Sequence, residues 1–381
     1  MSTLTINAGS SSLRFTLFDE KLKEIYKGHI DAIGQPHCHF RRYFADGTET
    51  KSKIKAKNHT DAIAYAIKQL EDKEIKKVAH RIVHGGEKFS KPLKLNALTI
   101  RQLERISSLA PLHNPANLSA AKAARKALKK AKHYAIFDTA FHSTIEEKAY
   151  LYGLPYELYK KQGIRRYGFH GTSHKYLAKE TARILKKKNL KLITCHIGNG
   201  VSIAAIKNGV CLDTSMGFTP LEGPMMGTRS GSIDPAIIFH LAKKKSLKSI
   251  EHMLQHESGF KGLSGISSDI RKLRSRSKSP GTQRSFEVFS YQMAKIIMSY
   301  FTTLGGPPDA IIFSAGIGQN GHYLRKRISN YLKPFGLNLD QAKNNKVTES
   351  QTWHQISKAK SNIKALVIPT DEALQMAREI A

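Results

Sequence analysis

The stretch LTINAGSSSLRFTLF (residues 4–18) places two short apolar runs on either side of a Gly-Ser turn. Apolar and β-branched residues bounded by glycine and serine are typical of two strands joined by a tight turn. Near the middle of the chain, LITCHIGNGVSIAAI (192–206) repeats this order of strand, glycine turn and strand. Self-similarity at half the chain length predicts two duplicated α/β domains, each opening with a hairpin whose glycine-rich turn faces a cleft between them.

Strand and helix patterns follow each hairpin, as expected for an α/β protein. A buried strand is predicted at 310–313 and another at 365–369. Capping residues place the beginnings of several helices. The predicted helices are 62–70 capped by Thr60 or Asp61, the alanine-rich 115–132, a long helix from a cap at Ser285 to Leu304, and a last helix from Asp371 capped by Thr370; 271–282 is expected to be an exposed loop.

Length and composition agree with a soluble protein of two domains. The chain has 381 residues, with 40% hydrophobic and 24% charged residues. No apolar run approaches the ~18 residues that a membrane span needs. The N-terminus enters a strand pattern without a signal sequence, so a cytoplasmic location is expected. The three cysteines, Cys38, Cys195 and Cys211, lack metal-ligand spacing and are expected to be reduced.

The formal net charge of +32 raises the hypothesis of a nucleic-acid-binding protein. The basic residues, however, are spread over separate segments, and most alternate with apolar residues at helical spacing, as solvated helix faces do. We therefore expect a generally basic surface that favours anionic ligands, with no nucleic-acid or membrane partner.

Three glycine-rich turns are candidates for phosphate binding. They occur at 9–12, 198–200 and 316–320, each directly after a predicted strand. Glycine lets backbone N–H groups approach a phosphate closely. None of the turns is a Walker A loop, and one such turn alone is usually a structural hairpin. Three of them together favour a nucleotide site.

Five further segments are rich in His, Arg and Gly. In this order they resemble the acetate kinase family, within the superfamily of actin, Hsp70 and sugar kinases, and the resemblance runs from Asn7 to Glu372. It implies two ribonuclease H-like domains, 1–145 completed by the C-terminal helix 370–381, and 146–369. The segments are HRIVHGGE (80–87), APLHNP (110–115), FDTAFH (137–142), YGFHGTSH (167–174) and 214–235.

The resemblance implies catalytic roles for Arg81, Asp138, His170 and Arg229. Guanidinium groups suit phosphoryl transfer because they bind carboxylate or phosphoryl oxygens as a bidentate fork. Alternatives remain from the residues alone. The arginines could form surface salt bridges, Asp138 could cap a helix, and His170 could form a metal pair with His174.

The remaining implied sites concern ligands and the metal. Mg²⁺, or Mn²⁺, is matched to Asn7 and Glu372, although Glu372 could merely favour a helix N-terminus. The carboxylate substrate is matched to Arg81 and to an apolar pocket of Val83, Leu112, Phe169 and Pro220, which would otherwise be read as core residues. The ATP contacts implied are Arg14, His196, Ile197, Gly198, Asn199, Gly200, Asp269, Ile270, Arg271, Gly316, Ile317, Gly318, Gln319 and Asn320.

Two of these positions depart from the family pattern, which commonly has Lys in place of Arg14 and Glu in place of Gln319. The resemblance as a whole implies reversible transfer of the ATP γ-phosphoryl group to acetate, which links acetate to acetyl-CoA metabolism, and a homodimer. A propionate or butyrate kinase of the same fold is the first alternative. A basic nucleic-acid-binding or Hsp70-like ATP-binding protein without kinase activity is the second.

Overall fold

The computed structural model describes residues 2–44, 46–70, 73–111, 113–348 and 350–381. Their strands form two mixed sheets. The first sheet contains β1 (Ser2–Ala8), β2 (Ser12–Phe18), β3 (Glu24–Asp31), β4 (His39–Tyr43), β5 (Glu49–Lys53), β6 (Ile75–Ile82), β7 (Leu93–Lys94) and β8 (Lys132–Phe137). The second contains β9 (Lys191–Ile197), β10 (Val201–Lys207), β11 (Val210–Thr214), β12 (Ala310–Ser314), β13 (His354–Gln355) and β14 (Lys364–Val367).

Helices connect and cover these strands. They are α1 (His59–Lys68), α2 (Ala97–Arg105), α3 (Asn114–Ala127), α4 (Glu147–Tyr150), α5 (Tyr156–Gln162), α6 (Gly171–Leu185), α7 (Ala236–Ala242), α8 (Leu247–His252), α9 (Gly259–Ser264), α10 (Ile270–Ser275), α11 (Pro280–Leu304), α12 (Ala315–Asn320), α13 (His322–Leu332), α14 (Gln341–Lys346) and α15 (Glu372–Glu379). Within the described ranges, no helix is long and apolar enough to cross a membrane.

The two sheets share one plan, which confirms the predicted duplication. In the first, the order is β5-β4-β3-β2-β1-β6-β8-β7, and in the second it is β11-β10-β9-β12-β14-β13. Each begins with an antiparallel hairpin, β1 with β2 and β9 with β10. A later strand then pairs in parallel with the first hairpin strand, β6 with β1 and β12 with β9. The next strand pairs in parallel with that one, β8 with β6 and β14 with β12.

The chain divides into two compact units, 1–143 with 371–381, and 144–370. In the first unit, apolar residues of β1 and β2, such as Leu4 and Phe15, are buried in one cluster with residues of α1 and α3. Ala79 and Ile136 instead pack with Met376 and Ile380 of α15 or just beyond it. Both faces of this sheet are therefore covered, which explains why its central strands are apolar rather than strictly alternating.

Three predicted caps are wrong, and in each case a side chain one to six residues away in the sequence takes the role. Asn58 accepts a hydrogen bond from the Asp61 N–H at α1, and Asp371 accepts one from the Leu374 N–H at α15. Ser279, followed by a proline at the first helical position, caps α11. Ser285 lies buried inside that helix and donates to the Thr282 carbonyl.

Three other segments also differ from the prediction. Residues 271–282 are mostly helical, since α10 and the first turn of α11 occupy them. The helix predicted over 115–132 ends at Ala127, because the residues from Lys132 onward join the sheet as β8. The third glycine-rich segment, 316–320, belongs to the short helix α12 rather than to an open turn.

Candidate active site

In the first unit, Arg81 is hydrogen-bonded to both Asn7 and Asp138. We call these three residues, together with Glu372, the arginine–carboxylate cluster. Strands β1, β6 and β8 run parallel, so residues at their carboxyl ends meet at one edge of the sheet. Arg81 Nε donates to both Asp138 carboxylate oxygens at 3.0 and 2.9 Å, and Nη2 donates to Oδ2 as well. Arg81 Nη1 donates to Asn7 Oδ1 at 3.0 Å. The arginine thereby crosslinks all three strand ends.

This ion pair is buried, unlike the surface salt bridge considered from the sequence. The Asp138 side chain is only 2% exposed and the Arg81 side chain 20%. Burial by itself lowers the pKa of a guanidinium, but the charge and hydrogen bonds of Asp138, with a further contribution from Glu372, raise the pKa of Arg81 above its ordinary value. Glu372 lies in the first turn of α15, whose cap is Asp371. Arg81 therefore remains charged.

Two buried asparagines, which the sequence analysis did not single out as site residues, fix the chain that follows β6. Asn117 accepts from the Val83 N–H at 3.0 Å and donates to the Ala8 carbonyl at 2.6 Å. Asn114 accepts from the His84 N–H and donates to the His84 carbonyl, both at 3.0 Å. The start of α3 thus ties the ends of β1 and β6 together, and amides suit this because each carries both donor and acceptor.

Arg14 is an exposed residue of β2 and the cross-strand neighbour of Asn7. It belongs to the first unit, whereas the other predicted ATP contacts belong to the second. Val83 is buried, at 4% exposure, beside the arginine–carboxylate cluster in the chain. Leu112 lies outside the described residues.

In the second unit, His170 and Arg229 meet the glycine turn between β9 and β10. A Cβ atom built on Gly200 would lie 3.3 Å from His170 Nε2 and 3.6 Å from Arg229 Nη1. The His170 ring stacks on the His196 ring, with centroids 4.2 Å apart. His170 itself occupies the N-cap position of α6 with a left-handed backbone, φ 56°, and its side chain makes no capping hydrogen bond. The structure therefore brings together one imidazole, one guanidinium and the turn predicted to hold phosphate.

His174, the partner in the alternative metal pair, uses both ring nitrogens for hydrogen bonds to hydroxyl groups. Nδ1 lies 2.7 Å from Thr194 Oγ1 and Nε2 lies 2.7 Å from Ser202 Oγ. His170 Nδ1 lies 2.9 Å from the same Ser202 oxygen. The described ranges contain no group of three or more His, Cys, Asp or Glu side chains arranged to hold a metal ion.

Arg229 differs from Arg81 in its partners. Its Nη1 donates to the Pro220 carbonyl at 3.3 Å, and no carboxylate of the described residues lies within ion-pair distance. Burial lowers the pKa of Arg229. A half-buried guanidinium whose charge is not neutralised by an acid is suited to bind an anionic ligand. Pro220, a predicted acyl-pocket residue, lies next to this guanidinium, while Phe169 is buried at 2% exposure.

The predicted nucleotide residues of the second unit lie in three places. The first place is the turn between β9 and β10, which the Gly198 N–H closes by donating to the Gly200 carbonyl at 2.9 Å. Asn199 is exposed in this turn, whereas the His196 and Ile197 side chains before it are buried. In the second, Asp269 caps α10 and accepts two hydrogen bonds from the Arg271 guanidinium. Hydrogen bonding from the Arg271 side chain is the largest cause of the lowered pKa of Asp269. Ile270 between them is buried.

The third place is α12, which contains Gly316, Ile317, Gly318, Gln319 and Asn320. Its last carbonyls are held by Arg325, a residue that sequence reasoning missed. The Arg325 side chain is 1% exposed and donates to the carbonyls of Gly318 and Gln319, to Asn344, and to the Val347 carbonyl. Burial lowers the pKa of Arg325 to about 10. Nothing in the sequence HYLRKRISNYL (322–332) distinguishes this arginine from its solvent-facing neighbours.

Solved structures with this fold identify the class. The crystal structure of acetate kinase from Porphyromonas gingivalis matches with a TM-score of 0.92 and 36% identity, covering 99% of this chain and 98% of that one. A propionate kinase from Francisella tularensis matches with a TM-score of 0.92 and 34% identity over the same shares of the two chains. The chain is thus a phosphotransferase with the duplicated fold of the actin and sugar-kinase superfamily.

Sequence comparison narrows this class to one family. An acetate kinase from Halothermothrix orenii is 45% identical over 399 aligned residues, which cover 100% of this chain and 99% of the relative. The sequence model of the acetokinase family matches residues 2–378. The chain therefore belongs to the acetokinase family, as its motifs predicted.

Protonation of the buried His84 should destabilise the folded protein. Burial lowers the pKa of His84 to about 4, and its Nδ1 accepts a hydrogen bond from the Gly86 N–H at 2.9 Å. An exposed histidine titrates near 6.5, so between these values the unfolded chain binds more protons than the folded one, and stability is lost as the pH falls. His84→Asn keeps an acceptor without titrating. The difference in unfolding free energy between wild type and His84→Asn should shrink by about 2 kcal/mol from pH 7 to pH 5.

Urea unfolding at the two pH values measures this difference. His37→Asn, at an exposed histidine of the first unit, serves as the matched control and should show no such change. An equal gap between wild type and His84→Asn at both pH values would show that His84 titrates normally in the folded protein.

Proposed function

We propose that the chain transfers the γ-phosphoryl group of ATP to a carboxylate oxygen of acetate, in line and reversibly, giving acetyl phosphate and ADP. The observation that carries this proposal is the full-length identity of 45% with a protein named acetate kinase. The retention of Arg81, Asp138, His170 and Arg229 at the positions of the family motifs supports it.

The geometry supports different tasks for the two arginines. Phosphoryl transfer needs alignment and positive charge around the oxygens of the moving group more than covalent help. Arg229 and the His170 ring both approach the turn at Gly200, so we assign them to the phosphoryl group. Arg81 is already paired with Asp138, and its Nη1 donates one hydrogen to Asn7. We assign the guanidinium to orienting the substrate carboxylate through this same Nη1 group.

The residues present fit a magnesium ion. Asn7, Asp138 and Glu372 offer the amide and carboxylate oxygens that Mg²⁺ prefers, and Mg²⁺ commonly keeps several waters between itself and such side chains. We propose that Asn7 and Glu372 hold Mg²⁺, or Mn²⁺, in this way. The ion, when bound, neutralises charge on the phosphates of ATP. The chain's own contribution is to keep Asn7 in place through its hydrogen bond from Arg81.

Acyl-chain length is the part of the proposal with a close alternative, since one structural match is a propionate kinase. The predicted acyl-pocket residues Val83, Leu112, Phe169 and Pro220 remain the basis for acetate. Propionate and butyrate each add methylene groups that such a pocket must accommodate. We further propose a cytoplasmic location, where ATP is supplied.

We also propose that the chain forms a homodimer. Three large apolar side chains of the second unit are exposed, Ile237 at 44%, Phe239 at 71% and Leu247 at 67%, on α7 and at the start of α8. The two helices contact each other, and exposed apolar side chains on neighbouring helices are typical of an interface with another protein.

Removal of the Arg229 guanidinium tests the assignment of that residue. Arg229→Ala should lower kcat by roughly 10²-fold or more, as the loss of an arginine that stabilises a phosphoryl transition state does. The measurement is acetate-dependent ADP release. Arg327→Ala, at a surface arginine paired with Glu287 in the same unit, is the matched control and should be close to wild type. Near-normal turnover of Arg229→Ala would remove this residue from the mechanism.

A panel of carboxylates tests the substrate. Acetate, propionate and butyrate are compared by kcat/KM, with hydroxylamine trapping of the acyl phosphate as proof of the product. We expect acetate to be preferred, with a loss of roughly 10-fold or more for each added methylene. A preference for propionate would establish the alternative. ATP binding without carboxylate-dependent ADP release, or tight salt-dependent binding to DNA or RNA, would support the non-kinase reading.

A charge on α7 tests the dimer. Phe239→Asp should convert the protein from a dimer to a monomer in light scattering after size-exclusion chromatography, because burying an aspartate in an apolar interface is costly. Leu98→Asp, at a leucine that is 64% exposed in the first unit, is the control and should leave the mass unchanged. A monomeric wild type would contradict the proposal.

A further inference from the structure

A chain of hydrogen bonds runs from β9 through α6 and β10 to His170. Thr194 Oγ1 lies 2.7 Å from His174 Nδ1, His174 Nε2 lies 2.7 Å from Ser202 Oγ, and Ser202 Oγ lies 2.9 Å from His170 Nδ1. The relative exposure of Thr194, His174 and Ser202 is 0%. Because these groups are shielded from water, each of their polar hydrogens must be donated to another group of this set.

The Thr194 hydroxyl determines which group donates and which accepts in each of these hydrogen bonds. In the part of the protein that the structure describes, the only hydrogen-bond partner of the Thr194 hydroxyl is His174 Nδ1. If that hydroxyl accepted a hydrogen bond from His174, its own hydrogen would be buried without an acceptor, which costs roughly 1–3 kcal/mol. Thr194 therefore donates, and His174 Nδ1 is the acceptor.

The remaining hydrogens follow from this one. With Nδ1 accepting, the His174 ring carries its proton on Nε2 and donates it to Ser202 Oγ. Ser202 has a single hydroxyl hydrogen, and the acceptor left for it is His170 Nδ1. A His170 ring that accepts at Nδ1 is neutral and carries its proton on Nε2. That nitrogen is the one that lies near Gly200 and Arg229.

We propose that Thr194, His174 and Ser202 are positioning residues that fix His170 as the neutral tautomer with its proton on Nε2. In this form His170 presents an N–H donor to the place assigned to the phosphoryl group. The opposite direction of the chain would present a lone pair there, which repels phosphoryl oxygens. The catalytic consequence rests on the proposed function, whereas the tautomer itself does not.

Tautomers are measured on the resting enzyme, full length and without substrates. Long-range ¹H–¹⁵N correlation spectra of protein labelled with ¹⁵N-histidine distinguish protonated from unprotonated ring nitrogens, and His170→Gln assigns the His170 signals. We expect Nε2–H in wild type, and a mixture of tautomers in Ser202→Ala and Thr194→Val. A wild-type His170 with its proton on Nδ1, or with both nitrogens protonated, would overturn the proposal. Unchanged His170 signals in both variants would also overturn it.

Kinetics provide a second readout. Ser202→Ala and Thr194→Val should lower kcat by about tenfold to a hundredfold, while KM for ATP and for acetate stay within about twofold, because the lost interaction acts on the transition state. Thr194→Ser, which keeps the hydroxyl, should restore most of the activity. Equal loss of activity in Thr194→Ser and Thr194→Val would mean that packing and not the hydroxyl matters, and would contradict the proposal.

Matched controls remove buried hydroxyls that take no part in the hydrogen bonds from Thr194 to His170. Thr214→Val deletes a buried hydroxyl that donates to the Ile203 carbonyl at 3.0 Å, and Ser290→Ala deletes one on α11. Both should leave the His170 tautomer and kcat unchanged. If wild type shows the Nε2–H tautomer but no carboxylate kinase activity, the proposed function fails while the tautomer assignment holds, so the two proposals fail separately.

Discussion

The ion pair between Arg81 and Asp138 is the interaction on which the first unit depends. Asp138 is almost completely buried, and a buried carboxylate is tolerated only with a partner that satisfies its charge and its lone pairs. Arg81 donates three hydrogen bonds to this carboxylate, and its Nη1 donates a further one to Asn7 Oδ1. Removal of either partner would leave an uncompensated charge, at a cost of about 3–5 kcal/mol. This pair, with the bond to Asn7, therefore links the carboxyl ends of the parallel strands β1, β6 and β8.

The second unit handles its buried polar groups differently. Arg325 is neutralised by carbonyl dipoles rather than by an acid, and the histidines next to β9 and β10 are satisfied by hydroxyl groups. The Arg229 guanidinium has only the Pro220 carbonyl and the Met226 sulfur as hydrogen-bond partners among the described residues. Fixed dipoles and neutral donors preserve the positive potential of that guanidinium, which a nearby carboxylate would cancel. The scarcity of acids around Arg229 is thus consistent with an anionic ligand.

Local pattern predicted the hairpins and the repeat, because strand period and glycine turns are properties of neighbouring residues. It failed for the caps of α1, α11 and α15, where more than one capping residue lies within a few positions and only the backbone geometry selects one. It could not find Arg325 or the chain from Thr194 to His170. These depend on contacts between residues far apart in sequence, and an arginine on an amphipathic helix has the same local signal whether its side chain is buried or solvated.

The two departures from the family pattern can be judged by their surroundings. Gln319 donates from Nε2 to the Ser350 carbonyl at 3.4 Å, a bond that the carboxylate of a glutamate could not make. Its own carbonyl is held by Arg325, so the amide belongs to a local network of α12. Arg14, in contrast, is exposed on β2 beside Asn7 and is the cross-strand neighbour of the half-buried His29, whose pKa is lowered to about 4 by burial first and then by Arg14. The Gln319 amide is therefore hydrogen-bonded within the protein, whereas Arg14 keeps an exposed positive charge next to Asn7, where it remains available to an anionic ligand.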